Sequence, residues 1–454
     1  MFRIEAAGQT TRYCDGVSRR NFLQLGVAGM ASVALPDVLW AKEASQAMGK
    51  GAKDTSVILI WLDGGPSHMD TYDMKPDAPP EYRGLWNPIS TNVAGMQITE
   101  LFARQAKVAD KFSIVRSLHH GEGGHFQASR RMLTGRVESL PDSTEAKYPS
   151  FASCATKVCG ARRPGMPPYV SVPKASSVGL KPGHFGASYL GLAHNPFMTG
   201  GDPNKDDFSV TNIKLPENLT IDRLENRRYL RKHFDGLRRD MDTSGAFDAM
   251  DKFQHQAFEM VAGPAARRAF DISAEDPQLR DRYGRHSSGQ STLLARRLVE
   301  AGATFVTVHM GGWDHHWNLE KGYRNKLPRV DAAVATLFED LDSRGLLDQV
   351  LVMVCGEFSR TPKMNDGRGR GTPGRDHWGN AMSCVLGGGG VKGGQIVGAT
   401  DRRGLRPSER PLTPPDIHAT VYHVLGVDQS IEFLDFSGRP VPAVNHGKVI
   451  HELV

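Results

Sequence analysis

The sequence predicts an α/β protein with its polar chemistry gathered along one edge of an open sheet, and three observations carry that prediction. First, Ser56–Leu62 (SVILIWL) is an almost continuous apolar run, the pattern of a strand buried on both faces. Second, the later chain alternates helical and strand-like periodicity, with helices expected over 292–301 and around 330–341 and strands over 304–308 and 350–354. Third, acids and imidazoles follow directly on these strands: Asp63 after the first, Asp314-His315-His316 after 304–308, and Glu357 after 350–354. In an open α/β sheet, ligands bind just beyond the carboxyl ends of the strands, which is where such residues would sit.

The 454 residues suffice for one large α/β domain with insertions or for two domains sharing a core. With 39% hydrophobic and 23% charged residues the body reads as ordinary globular sequence, and no apolar run is long enough to predict a stable membrane span. Residues 1–41 read as a leader rather than as part of the fold. Ser18-Arg19-Arg20-Asn21-Phe22-Leu23 is a twin-arginine signature, followed by a short Gly- and Ala-containing apolar segment and a cleavage site after Ala41. The expectation is therefore export through the twin-arginine translocase to the periplasm or beyond, by a route that carries folded proteins and so permits a metal loaded beforehand. Removing the leader takes away four arginines and three acids and changes the net charge from +6 to +5. The basic residues between Arg223 and Arg239 are interleaved with acids on an expected helix, which is a solvated face; no nucleic-acid module accompanies it. Cys154, Cys159, Cys355 and Cys384 have neither zinc-knuckle spacing nor a disulfide framework, and the last two fall in strand-like runs as buried thiols.

In chain order, the first strand runs into Asp63-Gly64-Gly65-Pro66-Ser67-His68-Met69-Asp70, where glycines let the backbone turn sharply at the sheet edge. Helical spacing over 100–111 precedes a strand at Phe112–Leu118. Next comes His119-His120-Gly121-Glu122-Gly123-Gly124-His125 and a helical octet closed by Thr134-Gly135-Arg136, so His125 lies at a helix N-terminus, where backbone N–H groups and the helix dipole favour an anion. Tyr169–Val172 is a strand candidate within Pro-, Ser- and Gly-rich sequence, and about 212–285 reads as a mainly helical insertion. After the 350–354 strand come Arg360, a Gly/Arg segment, Arg375-Asp376-His377-Trp378-Gly379, strands at 382–386 and 395–397, and a closing helix near 413–425.

The strand ends thus offer Asp63, His125, Asp314, His315, His316, Glu357, Asp376 and His377. Mixed carboxylate and imidazole donors suit Zn²⁺ or Mn²⁺ better than Ca²⁺, which prefers oxygen alone. Two such ions roughly 3.5–4 Å apart would stabilise both the attacking and leaving oxygens of an in-line displacement.

The order of a buried strand into Asp63-Gly-Gly, a Gly-rich loop before a helix ending Leu-Thr-Gly-Arg, an Asp/His loop, a strand ending in an acid and a late His resembles the alkaline phosphatase and sulfatase superfamily. More closely, GGPSHMDTYDMKP, GGWDHHWN, GEFSR and GRDHWG resemble the domain of unknown function 1501 family of twin-arginine-exported bacterial proteins. The resemblance covers nearly all of 54–454 and implies a mostly parallel central sheet flanked by helices, with one or two divalent metals, Zn or Mn, at its edge. Residue by residue it implies Asp314 and His316 as ligands, with His315 at the variable position, and His377 with Asp376 as the late pair; Glu357 stands where an Asp-His pair is usual, followed here by Phe358. Asp63 joins the implied metal set, and His68, Asp70 and Arg360 are its expected supporting or substrate-facing residues. His125 occupies the place of the sulfatase nucleophile and is expected to attack covalently or to act as acid/base, with Ser129 a further nucleophile candidate. The function implied is an exported metal-dependent hydrolase acting on a small or polymeric phosphate or sulfate ester; the other reading is a non-catalytic exported metal-binding or assembly protein that keeps the fold.

Overall fold

The structure, a computed structural model, describes residues 54–142, 144–177, 179–210 and 264–454. The expected leader and the 212–263 part of the expected insertion lie outside the described residues. All described residues belong to one of the chain's two compact units.

Eight strands form the main sheet. They are β1 (Ser56–Leu62), β2 (Phe112–Leu118), β3 (Tyr169–Val172), β4 (Phe197–Met198), β5 (Phe305–Met310), β6 (Val350–Cys355), β7 (Met382–Gly387) and β8 (Ile396–Val397). Their order across the sheet is β8-β2-β7-β6-β1-β5-β3-β4. Every pairing is parallel except the two made by β7. The expected α/β architecture, a mostly parallel central sheet flanked by helices, is the one found.

The central strand β1 is wholly buried, in register with β5 on one side and β6 on the other. Its alternate residues serve two cores. Ile58 and Ile60 join Val306, Val308 and the helices α5 (Ser287–Glu300) and α6 (Leu319–Ser343). Trp61 faces the other way, edge-on to Phe185 at 5.4 Å, while Phe151 of α2 (Phe151–Cys159) packs on Phe305 and stacks on His418 of α7 (Pro414–Leu425). Each fully buried aliphatic side chain here stabilises the fold by about 1.5–3 kcal/mol. The remaining helices are α1 (His125–Thr134), α3 (Pro264–Phe270) and α4 (Pro277–Tyr283), the last two being the described part of the expected insertion.

Two helices differ from expectation. The 100–111 stretch forms three separate 3₁₀ turns, Glu100–Phe102, Gln105–Lys107 and Ala109–Lys111. The Asp331 carboxylate takes the N–H groups of Arg104 and Gln105 at 2.9 and 2.7 Å, so the backbone donors that would extend an α-helix are bound elsewhere. The helix expected around 330–341 begins at Leu319 and runs through Pro328. The four described cysteines are free thiols, Cys355 and Cys384 buried as expected.

This topology gathers the site. Because β1, β2, β5 and β6 are parallel, the segments following them all emerge at one edge. Strand β7 runs the opposite way, with its first residue, Met382, paired to Leu118 at the end of β2, so the segment entering β7 reaches that same edge and carries His377 there. Among the described residues, no helix is long and apolar enough to cross a membrane.

Candidate metal centre

Gly64 is the pivot of the sheet edge. Its φ of +110° is accessible to glycine at little cost, and a Cβ there would lie 2.6 Å from the Asp314 backbone nitrogen. The Gly64 N–H donates to both Glu357 oxygens, at 2.9 and 3.1 Å, so the chain leaving β1 is tied to the chain leaving β6. The Asp314 loop is held from below: Trp313 is buried and donates its N–H to the Asp63 carbonyl, and its ring packs edge-on against Tyr323 of α6. It is also joined to the Gly/Arg segment, since Arg375 N–H donates to the His315 carbonyl and Asn365 Nδ2 to the His316 carbonyl.

Three imidazoles converge on Asp314. His125 Nε2 lies 3.3 Å from Oδ2; His316 Nε2 and His377 Nε2 lie 3.0 and 3.2 Å from Oδ1 and 3.0 Å from each other. Each ring is anchored through its other nitrogen. Nδ1 of His125 meets Glu357 Oε1 at 2.8 Å, Nδ1 of His316 meets Asp376 Oδ1 at 2.7 Å, and Nδ1 of His377 meets the Gly123 carbonyl at 2.9 Å. Such outer partners fix the tautomer and aim the remaining nitrogen, as they do for metal-bound histidines.

The donor set fits a divalent ion. Where Nδ1–H donates to a carboxylate or carbonyl, a neutral ring presents a bare lone pair at Nε2. Two such lone pairs and a carboxylate oxygen, 3.0–3.2 Å apart, are acceptors facing one another. Ligands bound to one ion at about 2.1 Å sit roughly 3.0–3.4 Å apart, so a cation would turn three repelling acceptors into its ligands. Among the described residues His125, Asp314 and His377 form the group able to hold an ion, with ligand atoms all within 4.8 Å of one another. His316 adds a second triad sharing Asp314 and His377.

Electrostatics sharpen the roles. Burial resists charge on His125, but hydrogen bonds to Asp314 and Glu357 outweigh it and raise its pKa to about 9. Burial also works against ionised Asp314, yet the hydrogen bond from His125 and the Arg360 guanidinium hold its carboxyl far below the usual range. For His316 desolvation prevails over Asp376 and lowers the pKa, favouring the neutral ring. Glu357 is closed off, with a side chain 1% exposed, whereas Asp314 is 42% exposed and open to a ligand.

The other sequence candidates lie elsewhere in this scheme. Glu357 and Asp376 hold imidazoles from behind. Asp63 accepts from Trp61 Nε1 at 3.1 Å and pairs with His309 at 3.3 Å. His68 and Asp70 are buried: His68 bonds Ser359 Oγ and the Gly404 carbonyl, and Asp70 binds Arg375. His315 packs edge-on to Tyr323 at 5.4 Å. Ser129 Oγ donates to the His125 carbonyl one turn back, so the hydroxyl is bound within the helix. His120, not singled out from the sequence, is in the supporting shell. Its Nε2–H donates to the Glu357 carbonyl at 2.7 Å while Nδ1 accepts from Glu122 N–H, and burial lowers its pKa to about 4. Only its place in the same His/Gly loop as His125 could have signalled it.

A family model described as "Protein of unknown function (DUF1501)" matches residues 54–454, and the chain belongs to that family. No curated protein matches it. Among solved structures it is similar to the PsFucS1 sulfatase from Pseudoalteromonas sp., at 15% identity and a TM-score of 0.40, covering 89% of this chain and 72% of that one. It is also similar to phosphonate monoester hydrolases from Silicibacter pomeroyi and Agrobacterium radiobacter, at 10% and 12% identity and TM-scores of 0.38 and 0.37, each covering 87% of this chain and 76% of the other.

Proposed function

We propose that this member of the DUF1501 family is a metal-dependent hydrolase of phosphate or sulfate esters. The observation that carries the reading is the convergence of three Nε2 atoms on Asp314, each ring anchored through Nδ1. Of the two overlapping triads, Asp314, His316 and His377 are the closer-set and would hold a Zn²⁺- or Mn²⁺-type ion. Such an ion supplies Lewis acidity toward an ester oxygen and an attacking water. His125, held through Nδ1 by Glu357 beside the triad, would protonate the leaving oxygen. It is the first residue of α1, whose N-terminus has no side-chain cap, so free backbone N–H groups and Arg360 favour the oxygens of an anionic ester. No side-chain hydroxyl is aimed at the cluster by Ser129, which favours direct attack by water over a covalent serine intermediate.

Metal analysis of the purified protein followed by turnover of aryl phosphates and aryl sulfates tests this. Bound metal with ester turnover is expected. Bound metal without turnover of any ester would favour the binding or assembly reading, and a protein that takes up no divalent metal would sink both. Twin-arginine export remains part of the proposal on the Ser18–Leu23 motif alone: lysines at Arg19 and Arg20 should leave the protein in the cytoplasm, and undiminished export of that variant would remove it.

A further inference from the structure

Arg360 is fully buried, and its guanidinium is fixed in place. Nε–H donates to the Gly65 carbonyl at 3.0 Å, Nη2 donates to the Gly64 carbonyl and pairs with Asp314 Oδ1 at 2.6 Å, and Nη1 reaches the Arg375 carbonyl at 3.4 Å. The Phe358 ring lies 5.4 Å from the guanidinium carbon, and the same ring packs against His125 and His377 at 4.9 and 4.6 Å. A permanent positive charge and an apolar wall therefore border the cluster on the side of β6.

The anionic donors are correspondingly few. Both Glu357 oxygens accept from Gly64 N–H, and Oε1 also meets His125. Asp376 Oδ1 is shared by His316, Asn365 and Arg368. Among the described residues Asp314 is thus the one carboxylate that faces the converging Nε2 atoms, and its Oδ1 already touches the guanidinium. Two divalent ions together with Arg360 would leave several positive charges within a few ångström of a single facing carboxylate, a repulsion that the half-buried setting strengthens. One ion beside Arg360 avoids that excess.

Resting on the metal-dependent reading above, we infer that the centre takes a single divalent ion and that the buried guanidinium of Arg360 supplies the second positive charge, the two sharing Asp314 Oδ1. A carboxylate oxygen placed between an ion and a guanidinium keeps both charges beside the site where an ester's oxygens would bind, with no need for a second metal.

The test is titration of chelator-stripped wild-type protein with Mn²⁺, followed by bound-metal analysis and electron paramagnetic resonance. One Mn²⁺ per chain with the spectrum of an isolated ion is expected. Two ions per chain, or the spectrum of an exchange-coupled pair, overturns this inference while leaving the metal-dependent reading intact; no binding at all overturns both. A second measurement addresses Arg360 itself. In Arg360→Gln the guanidinium no longer competes for Asp314 Oδ1, so Mn²⁺ should bind about tenfold tighter or more, while Arg360→Lys keeps the charge and stays near wild type. Unchanged or weaker binding in Arg360→Gln would show that the guanidinium does not share the ligand and overturns the assignment; if that variant fails to fold, the wild-type stoichiometry still decides.

Discussion

Arg375, Asp376 and His377 are consecutive, yet they serve two clusters in opposite states. Arg375 points inward and pairs with Asp70 at 2.8 Å, both side chains fully buried. Every polar atom there has its partner: Asp70 accepts from Ser67 Oγ and Leu85 N–H, Arg375 donates to the carbonyls of Thr361, Pro362 and Arg83, and His68 Nε2–H donates to Gly404 while its Nδ1 accepts from Ser359 Oγ. Asp376 and His377 point the other way, into a cluster where Nε2 of His316 and of His377 face each other at 3.0 Å with no donor between them. The first cluster is complete without a ligand; the second, on the reading proposed above, is completed by a cation. Closure of the hydrogen-bond network, rather than residue type, separates scaffold from site.

The largest effect that would break this comparison belongs to Asp314. Asp314→Ala removes the oxygens that both triads share, so metal occupancy should fall beyond the roughly 10–100-fold loss typical of an orienting residue, to a level undetectable by elemental analysis. The chelated protein should also melt at a lower temperature, because the substitution leaves the buried Arg360 guanidinium without its carboxylate, so occupancy is read on the folded protein. Retained metal would sink the ligand assignment. Asp70→Ala is the converse. It leaves the Arg375 charge buried and unpaired, which costs about 3–5 kcal/mol, and should lower the urea midpoint while the folded fraction keeps its metal. Equal stability with lost metal would mean that the two clusters are not distinct.

Sequence pattern made the sheet and its polar edge legible because both depend on local features. The apolar run of β1 and the β-branched run before Asp314 specify buried parallel strands, and residues following a strand are bound to emerge at its end. What the pattern left ambiguous was the direction of each side chain. Asp63, Asp70, Asp314, Glu357 and Asp376 are all acids near strand ends, but each also takes a partner from a segment tens to hundreds of residues away, such as Arg375 for Asp70 across 305 positions. The 100–111 stretch shows the same limit. Its spacing is helical, and a distant carboxylate, Asp331, claims the N–H groups that would have extended the helix.

Asp376→Asn sharpens the comparison with a smaller effect. Asp376 orients His316 through Nδ1 and is itself held below the usual carboxyl range by His316 and Arg368 against the pull of burial. An amide oxygen accepts the same hydrogen bond more weakly, so metal affinity should drop about 10–100-fold without loss of stoichiometry. A calorimetric titration that found wild-type affinity would place Asp376 outside the functional shell and leave His316 positioned by its loop alone.

The smallest effect concerns the metal-free protein, where the open cluster substitutes a proton for a cation. His125⁺ bridges Glu357 and Asp314, and its pKa is raised from 6.5 to about 9 in the folded state. A raised pKa means that folding takes up a proton. The stabilisation is therefore fully present below pH 6.5 and is lost as pH rises toward about 9. Chelated protein should accordingly show a melting temperature that declines modestly across that window, the size being limited by solvent screening around the exposed Asp314. His125→Gln should flatten the slope, since the amide carries no titrating proton. Metal binding should flatten it too, because the ion engages Asp314 and displaces the ring from its carboxylate clamp. The Asp70 cluster has no comparable dependence there, as burial lowers the pKa of His68 and keeps it neutral. A pH-independent melting temperature for chelated wild type would show that the Glu357–His125–Asp314 bridge does not form without metal.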